Sequence, residues 1–236
     1  MKTRLKIVKE RIRNAAVLSG RDPESIRLVA VSKTKPAEVI MEAINAGVTI
    51  LGENYIQETL QKLKTKELDT GLPSPVSWHF IGHLQTNKAK YAVKIFDLIH
   101  TVDSLKLAKE LDKQAKKIGK VQQILLQVNI GMEPSKSGAA AEDVKSLIRE
   151  IISCKNLSVK GLMVIPPFFN DPEKVRPYFS ALRDLADQIK NDKLLMSAPN
   201  IAMDELSMGM TADFEIAIEE GATLVRIGTA IFGKRD

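Results

Sequence analysis

The sequence predicts a closed (β/α)8 barrel, on three observations made along its 236 residues. Its short apolar runs are continuous rather than alternating, as expected of strands buried on both faces. Amphipathic helical stretches separate them, which implies parallel pairing through right-handed crossovers. There are eight such runs, the number that closes a barrel; a doubly wound open sheet is the competing arrangement. No linker or low-complexity tract divides the chain, so one domain over residues 1–236 is expected.

The segment MKTRLKIVKERIRNAAVLSG reads as an extra N-terminal helix, because basic and apolar residues alternate at helical spacing and the continuous apolar core of a secretory signal is missing. The first strand is IRLVAVSK (26–33). Pro36 then opens AEVIMEAINAG, where Val39, Ile40, Ala43 and Ile44 form one apolar face and Gly47 supplies the stop. Further strands are read at VTILGEN (48–54), WHFIGH (78–83), DLIHTVD (97–103), QILLQVNI (123–130), VKGLMVI (159–165), ELSMG (205–209) and LVRIGTAIF (224–232), with amphipathic stretches such as AAEDVKSLIREIISC and PEKVRPYFSALRDLADQIK between them. After the eighth strand only Gly233, Lys234, Arg235 and Asp236 remain. No eighth outer helix is therefore expected, and the N-terminal helix is expected to cover that gap in the ring.

Composition narrows the function classes. No apolar run approaches the roughly 20 residues that cross a bilayer. The net charge of +6 raises nucleic acid as a partner, but the lysines of LKLAKELDKQAKKIGK (105–120) lie on a solvated helix face and aromatics are only 5% of residues. With neither a basic block nor a stacking strip, no nucleic-acid role is expected; a mild positive field suits a small phosphorylated ligand. Cys154, the single cysteine, can form neither an intramolecular disulfide nor a zinc cluster, so a reducing, cytoplasmic setting is expected.

Side chains at the C-terminal ends of barrel strands face the mouth where such barrels work. Those ends carry Lys33, Glu53 and Asn54, His83 with Gln85, Asp103, Asn129, Ser207 and Gly209, and Arg226, Gly228 and Thr229. Lys33 ends a strand whose upstream residues are buried, so its amine can sit inside the mouth and attack an aldehyde once neutral; by spacing alone, Lys35 competes with it. Ser207 and Gly209 in LSMGMT, with Gly228 and Thr229 in RIGTA, combine hydroxyls and small residues where phosphate sites recur after strands seven and eight. Tight turns that need glycine explain the same letters. Asp103 and Ser104 read as a helix cap. His79 and His83 stand two pleats apart on one side of a strand, roughly 7 Å; with no third ligand, core or supporting roles are expected and no metal site. Trp78 reads as packing.

In this order, LVAVSKTKP (28–36), GENYIQE (52–58), WHFIGHLQTNK (78–88), KGLMVI (160–165), LSMGMTADFEIAI (206–218) and VRIGTAIFG (225–233) closely resemble the pyridoxal phosphate homeostasis protein family, whose barrel is shared with the N-terminal domain of alanine racemase. The resemblance covers nearly the whole chain; Ile56 and Thr211 stand where valine and serine are common. It implies pyridoxal 5′-phosphate as cofactor, held as a Schiff base on Lys33, with Asn54 nearby, Ser207, Gly228 and Thr229 on the phosphate, and Arg226 facing the pyridine nitrogen. It also implies a part in intracellular pyridoxal phosphate homeostasis, with buffering and delivery of the cofactor and apo pyridoxal phosphate enzymes as recipients. An arginine at the pyridine nitrogen opposes its protonation and weakens the ring as an electron sink. Racemases on this barrel add a tyrosine from a C-terminal β domain, which this sequence does not show; of Tyr55, Tyr91 and Tyr178 only Tyr55 follows a strand end. A monomeric carrier is therefore expected rather than an enzyme. A pyridoxal-phosphate-dependent racemase is the alternative, and a cofactor-free Schiff-base aldolase a third reading.

Overall fold

The computed structural model describes residues 1–65, 68, 75–131 and 137–233. Eight strands, β1 (Arg27–Val31), β2 (Ile50–Glu53), β3 (Ser77–Phe80), β4 (Leu98–Val102), β5 (Gln122–Asn129), β6 (Leu157–Met163), β7 (Ile201–Ser207) and β8 (Leu224–Ile227), pair in parallel in sequence order. Strand β1 pairs with β8 (Val29 beside Arg226), and β4 pairs with β5, so the sheet closes on itself. A two-residue strand, Ala139–Ala140, adds to β5 outside the ring.

Alternation along the strands separates two cores. Val29, Ile50, Leu98, Leu125, Met163 and Leu224 cluster inside the barrel. Their neighbours Ala30, Leu51, Ile99, Ile124, Leu126, Leu162 and Val225 face the surrounding helices. These parities decide which later residues point inward: Lys33 continues from Val29, His100 from Leu98, and Arg226 from Leu224.

The outer layer comprises α1 (Lys2–Leu18), α2 (Ala37–Asn45), α3 (Ile56–Lys62), α4 (Ala89–Ile95), α5 (Leu105–Lys117), α6 (Val144–Ile151), α7 (Arg176–Lys190), α8 (Lys193–Met196), α9 (Phe214–Glu219) and α10 (Thr229–Phe232). Helix α1 buries Leu5, Val8, Ile12, Ala15 and Ala16, and packs on α9 and α10. Each of its larger apolar side chains contributes about 1.5–3 kcal/mol of gross burial energy there. Arg11 adds an ion pair with Glu215 and lies over the Phe214 ring. The N-terminal helix thus covers the seam, as expected, but the expectation of no helix after the eighth strand is corrected: Thr229–Phe232 makes a single turn. The run read as LVRIGTAIF is therefore a four-residue strand followed by a turn of helix, because Gly228 ends the extended backbone. Strand β7 begins at Ile201, well before the expected 205, and β3 stops at Phe80, short of His83.

Candidate functional site at the barrel mouth

Lys33, half-buried, lines a small cavity with Val31, Lys35, Gly228 and Thr229. The first and last strands are neighbours, so residues nearly two hundred positions apart meet there. Lys35 reaches the same cavity, so position there does not separate the two lysines; strand parity favours Lys33. The Thr229 hydroxyl lies 3.3 Å from that of Thr211, which adds the loop after β7 to the rim.

The turn that presents Lys33 is held in an unfavourable conformation. Thr34 has φ of 63°, which is rare for a β-branched residue and persists only where the surroundings over-determine it. Here they do. The Thr34 amide donates to Glu58 Oε1 at 2.5 Å, and the Lys35 amide to the Ser32 carbonyl at 3.1 Å. Lys62 Nζ, buried on α3, donates to the Ser32 carbonyl (2.9 Å), to Glu53 Oε1 (2.7 Å) and to Glu58 Oε1 (2.6 Å). Ser32 Oγ also donates to Glu53 Oε1, at 2.6 Å. Burial pushes the fully buried Glu53 carboxyl upward, while Lys62 and the Ser32 hydroxyl oppose that shift. Glu53, read from its strand end as a candidate for the mouth, thus anchors the Lys33 turn. Lys62 was not singled out in the sequence, where it is one of many helix lysines.

Asn54 follows on β2. Its Oδ1 is buried without a hydrogen-bond partner among the described residues, which marks a polar group fitted for a ligand or water. The backbone around it is tight: a Cβ on Gly82 would lie 2.2 Å from the Asn54 carbonyl oxygen, so glycine is required there. At Gly209 (φ 87°) a Cβ would stand 2.5 Å from that of Ala217, so the packing of α9 requires glycine there.

Arg226 points inward from β8, 3% exposed. Its Nη1 donates to Ser207 Oγ at 2.7 Å and its Nη2 to the Val164 carbonyl at 2.9 Å. Burial lowers its pKa to about 10, with partial compensation from Asp213. Ser207 is fully buried, and its hydroxyl also meets His100 Nδ1 at 2.8 Å; His100 Nε2 meets His79 Nδ1 at 2.9 Å. His100 was missed by sequence reasoning, although period-two alternation from Leu98 would have placed it inside.

Of the other strand-end residues, His83 and Gln85 do not join this group. His83 does not share a strand side with His79. It lies past the end of β3, exposed, with Nδ1 3.1 Å from Ser137 Oγ, because the chain turns at Gly82. Gln85 is exposed. Ser104 caps α5, accepting from the Leu107 amide at 3.4 Å, and Trp78 and Cys154 are buried in the outer core. Burial raises the Cys154 thiol pKa, which suits packing better than nucleophilic chemistry. Among the described residues no group of three or more His, Cys, Asp or Glu could hold a metal, and no helix is long and apolar enough to cross a membrane.

Residues 6–236 match the family described as alanine racemase, N-terminal domain. A pyridoxal phosphate homeostasis protein of Aquifex aeolicus is 46% identical over 98% of this chain and 97% of its own. PipY of Synechococcus elongatus, solved with pyridoxal phosphate bound, superposes with a TM-score of 0.80 at 37% identity, covering 96% of this chain and all of that one; its cofactor-free structure gives 0.81 at 39%. An alanine racemase of Clostridium difficile shares the fold at 17% identity, with a TM-score of 0.67 over 96% of this chain and 55% of its own length. The chain belongs to the alanine racemase N-terminal-domain family and, within it, to the pyridoxal phosphate homeostasis proteins.

Proposed function

We propose that this protein binds pyridoxal 5′-phosphate at the barrel mouth through Lys33, and buffers and delivers the cofactor within the cytoplasm as a monomer, with apo pyridoxal phosphate enzymes as recipients. The observation that carries the reading is the shared cavity of Lys33, Gly228 and Thr229, which brings an amine beside a turn able to take a phosphate. The relatives' names and the cofactor bound in PipY support the choice of ligand. The residues fit it: among the described residues Asn54 offers a buried polar atom without a partner, and Arg226 a buried cation without a hydrogen-bonded carboxylate.

When bound, the cofactor supplies an aldehyde for amines and an electron-withdrawing ring. Lys33 Nζ would condense with that aldehyde, releasing water. Ser207, Gly228 and Thr229 would hold the phosphate, while Asn54 would lie near the cofactor. Arg226 would face the pyridine nitrogen and keep it unprotonated, since two positive charges in one small site repel.

The racemase alternative needs an acid/base on each face of the substrate α-carbon. Tyr55, the strand-end tyrosine, is 56% exposed. The carrier reading therefore expects slow or no α-proton exchange with alanine or serine. Borohydride reduction of loaded protein and peptide mapping should place the pyridoxyl group on Lys33, and loaded protein should activate an apo enzyme differently from free cofactor at equal concentration. Labelling at Lys35, or rapid stereochemically complete exchange abolished by Lys33→Ala, would overturn the attachment and the carrier role respectively.

A further inference from the structure

The barrel interior holds a line of polar groups that runs away from the mouth. From Arg226 the contacts pass to Ser207 Oγ, His100 and His79. His79 in turn lines a polar cavity at the opposite, N-terminal end of the strands, with Arg27, Asp97, Lys160, Asp204 and Glu205. His100 is 0% and His79 4% exposed. An all-apolar interior would be cheaper than four buried polar groups unless each is satisfied and has a task.

Valence fixes the order of protons along this line. Arginine only donates, so Ser207 Oγ accepts from Nη1. Among the described residues no other acceptor reaches the Ser207 hydroxyl, so its proton goes to His100 Nδ1. The His100 proton then sits on Nε2 and is given to His79 Nδ1, which leaves the His79 proton on Nε2. Each of these three contacts then has one donor and one acceptor, all running in this one direction. Both rings stay neutral: burial first, and Arg27 for His79, lower that pKa to about 4 despite Asp97, while burial, His79, Arg226 and Arg27 all lower that of His100.

We propose that His100 and His79 are positioning residues for Arg226, holding its guanidinium beneath the mouth through Ser207 by a one-directional hydrogen-bonded chain that ends in the lower cavity. The side chain that sets the electronic character of the bound cofactor is thereby aimed from inside the barrel. This assignment rests on the proposed placement of Arg226 at the pyridine nitrogen.

The chain has three histidines, so nitrogen-15 histidine labelling of cofactor-free protein gives three imidazoles, assigned by His79→Asn, His83→Asn and His100→Gln. His100 and His79 should both be Nε2-protonated and neutral at pH 7, whereas a proton on Nδ1 of His100 or a charged ring overturns the chain. In the second arm pyridoxal phosphate is added. His100→Leu should weaken its binding about ten-fold, the loss of one ordinary hydrogen bond, and shift its visible absorption. His100→Gln, which can accept from Ser207 and donate to His79, should restore both. Wild-type affinity and spectrum in a folded His100→Leu protein would overturn the positioning role; should that variant not fold, His79→Leu is held to the same criterion. If wild-type protein takes up no pyridoxal phosphate, the proposed function fails, while the tautomers still decide the chain.

Discussion

Two cations are buried around the mouth, and they are neutralised in different ways. Lys62 is enclosed by carboxylates, with Glu53 and Glu58 both within 2.7 Å and the Ser32 carbonyl completing its shell. Among the described residues Arg226 has only a hydroxyl and a carbonyl as hydrogen-bond partners. Lys62 therefore has no charge left to offer and acts as a fastener under the Lys33 turn. The charge of Arg226 is balanced only from a distance by Asp213 and remains available to a ligand. Cations at similar depth can thus serve opposite ends, and the partner list tells which is which.

The largest expected effect tests the fastener. Lys62→Met leaves Glu53 buried without its counter-ion, and breaking such a pair costs about 3–5 kcal/mol. Urea unfolding should show that loss, and Glu53→Gln in the same chain should restore most of it. A loss under 1 kcal/mol would mean that the two networks are equivalent.

Acid should act on the other side of the barrel. The folded pKa of His79 is depressed to about 4, so below the unfolded value near 6.5 the unfolded chain binds more protons than the native one. Stability is then complete above about pH 6.5 and falls as pH drops toward 4, by an amount of order 3 kcal/mol for His79, with His100 acting in the same direction. Unfolding measured from pH 7 to pH 4 should show this slope, and a His79→Asn variant should flatten it.

Thr229→Ala should weaken pyridoxal phosphate by about 1.5–3 kcal/mol, the worth of a hydrogen bond to a charged group, and leave pyridoxal almost unchanged. Equal weakening of both ligands would make Thr229 a residue of the fold. The smallest effect is expected for the stability of Arg226→Leu. Removing a charge that no carboxylate contacts should change unfolding by about 1 kcal/mol in either direction, while altering the spectrum of bound cofactor.

How much of this was legible follows the physics of each element. The strands were readable because a strand buried on both faces is a continuous apolar run, and Lys33, Gly228 and Thr229 were readable because a barrel gathers its strand ends. The start of β7 was not, since Ile201–Asp204 mixes apolar and charged letters. His100 lay in a recognised strand but carries no motif. Lys62 could not be told from the surface lysines of the other helices, because its burial arises from Glu53 on β2 and Ser32 beyond β1. The fold of Thr229–Phe232 was misjudged because Ala230, Ile231 and Phe232 read equally well as strand.

The position of the site along the closing seam has a consequence for how the protein reaches its native state. Lys33 follows β1 and Thr229 follows β8, and their cavity exists only once those two strands pair and α1 docks on α9 and α10. These are the contacts of greatest sequence separation in the chain, and such contacts form at high loop-closure cost. During synthesis the lysine turn can form early, yet the turn proposed to take the phosphate stands opposite it only once Gly228 and Thr229 have emerged. A ligand that bridges the two sides binds only the closed ring, and at a hundred-fold excess over its dissociation constant it adds about 2.7 kcal/mol to the native state. If the cofactor binds there as proposed, its supply and the yield of closed barrels are coupled by that single seam.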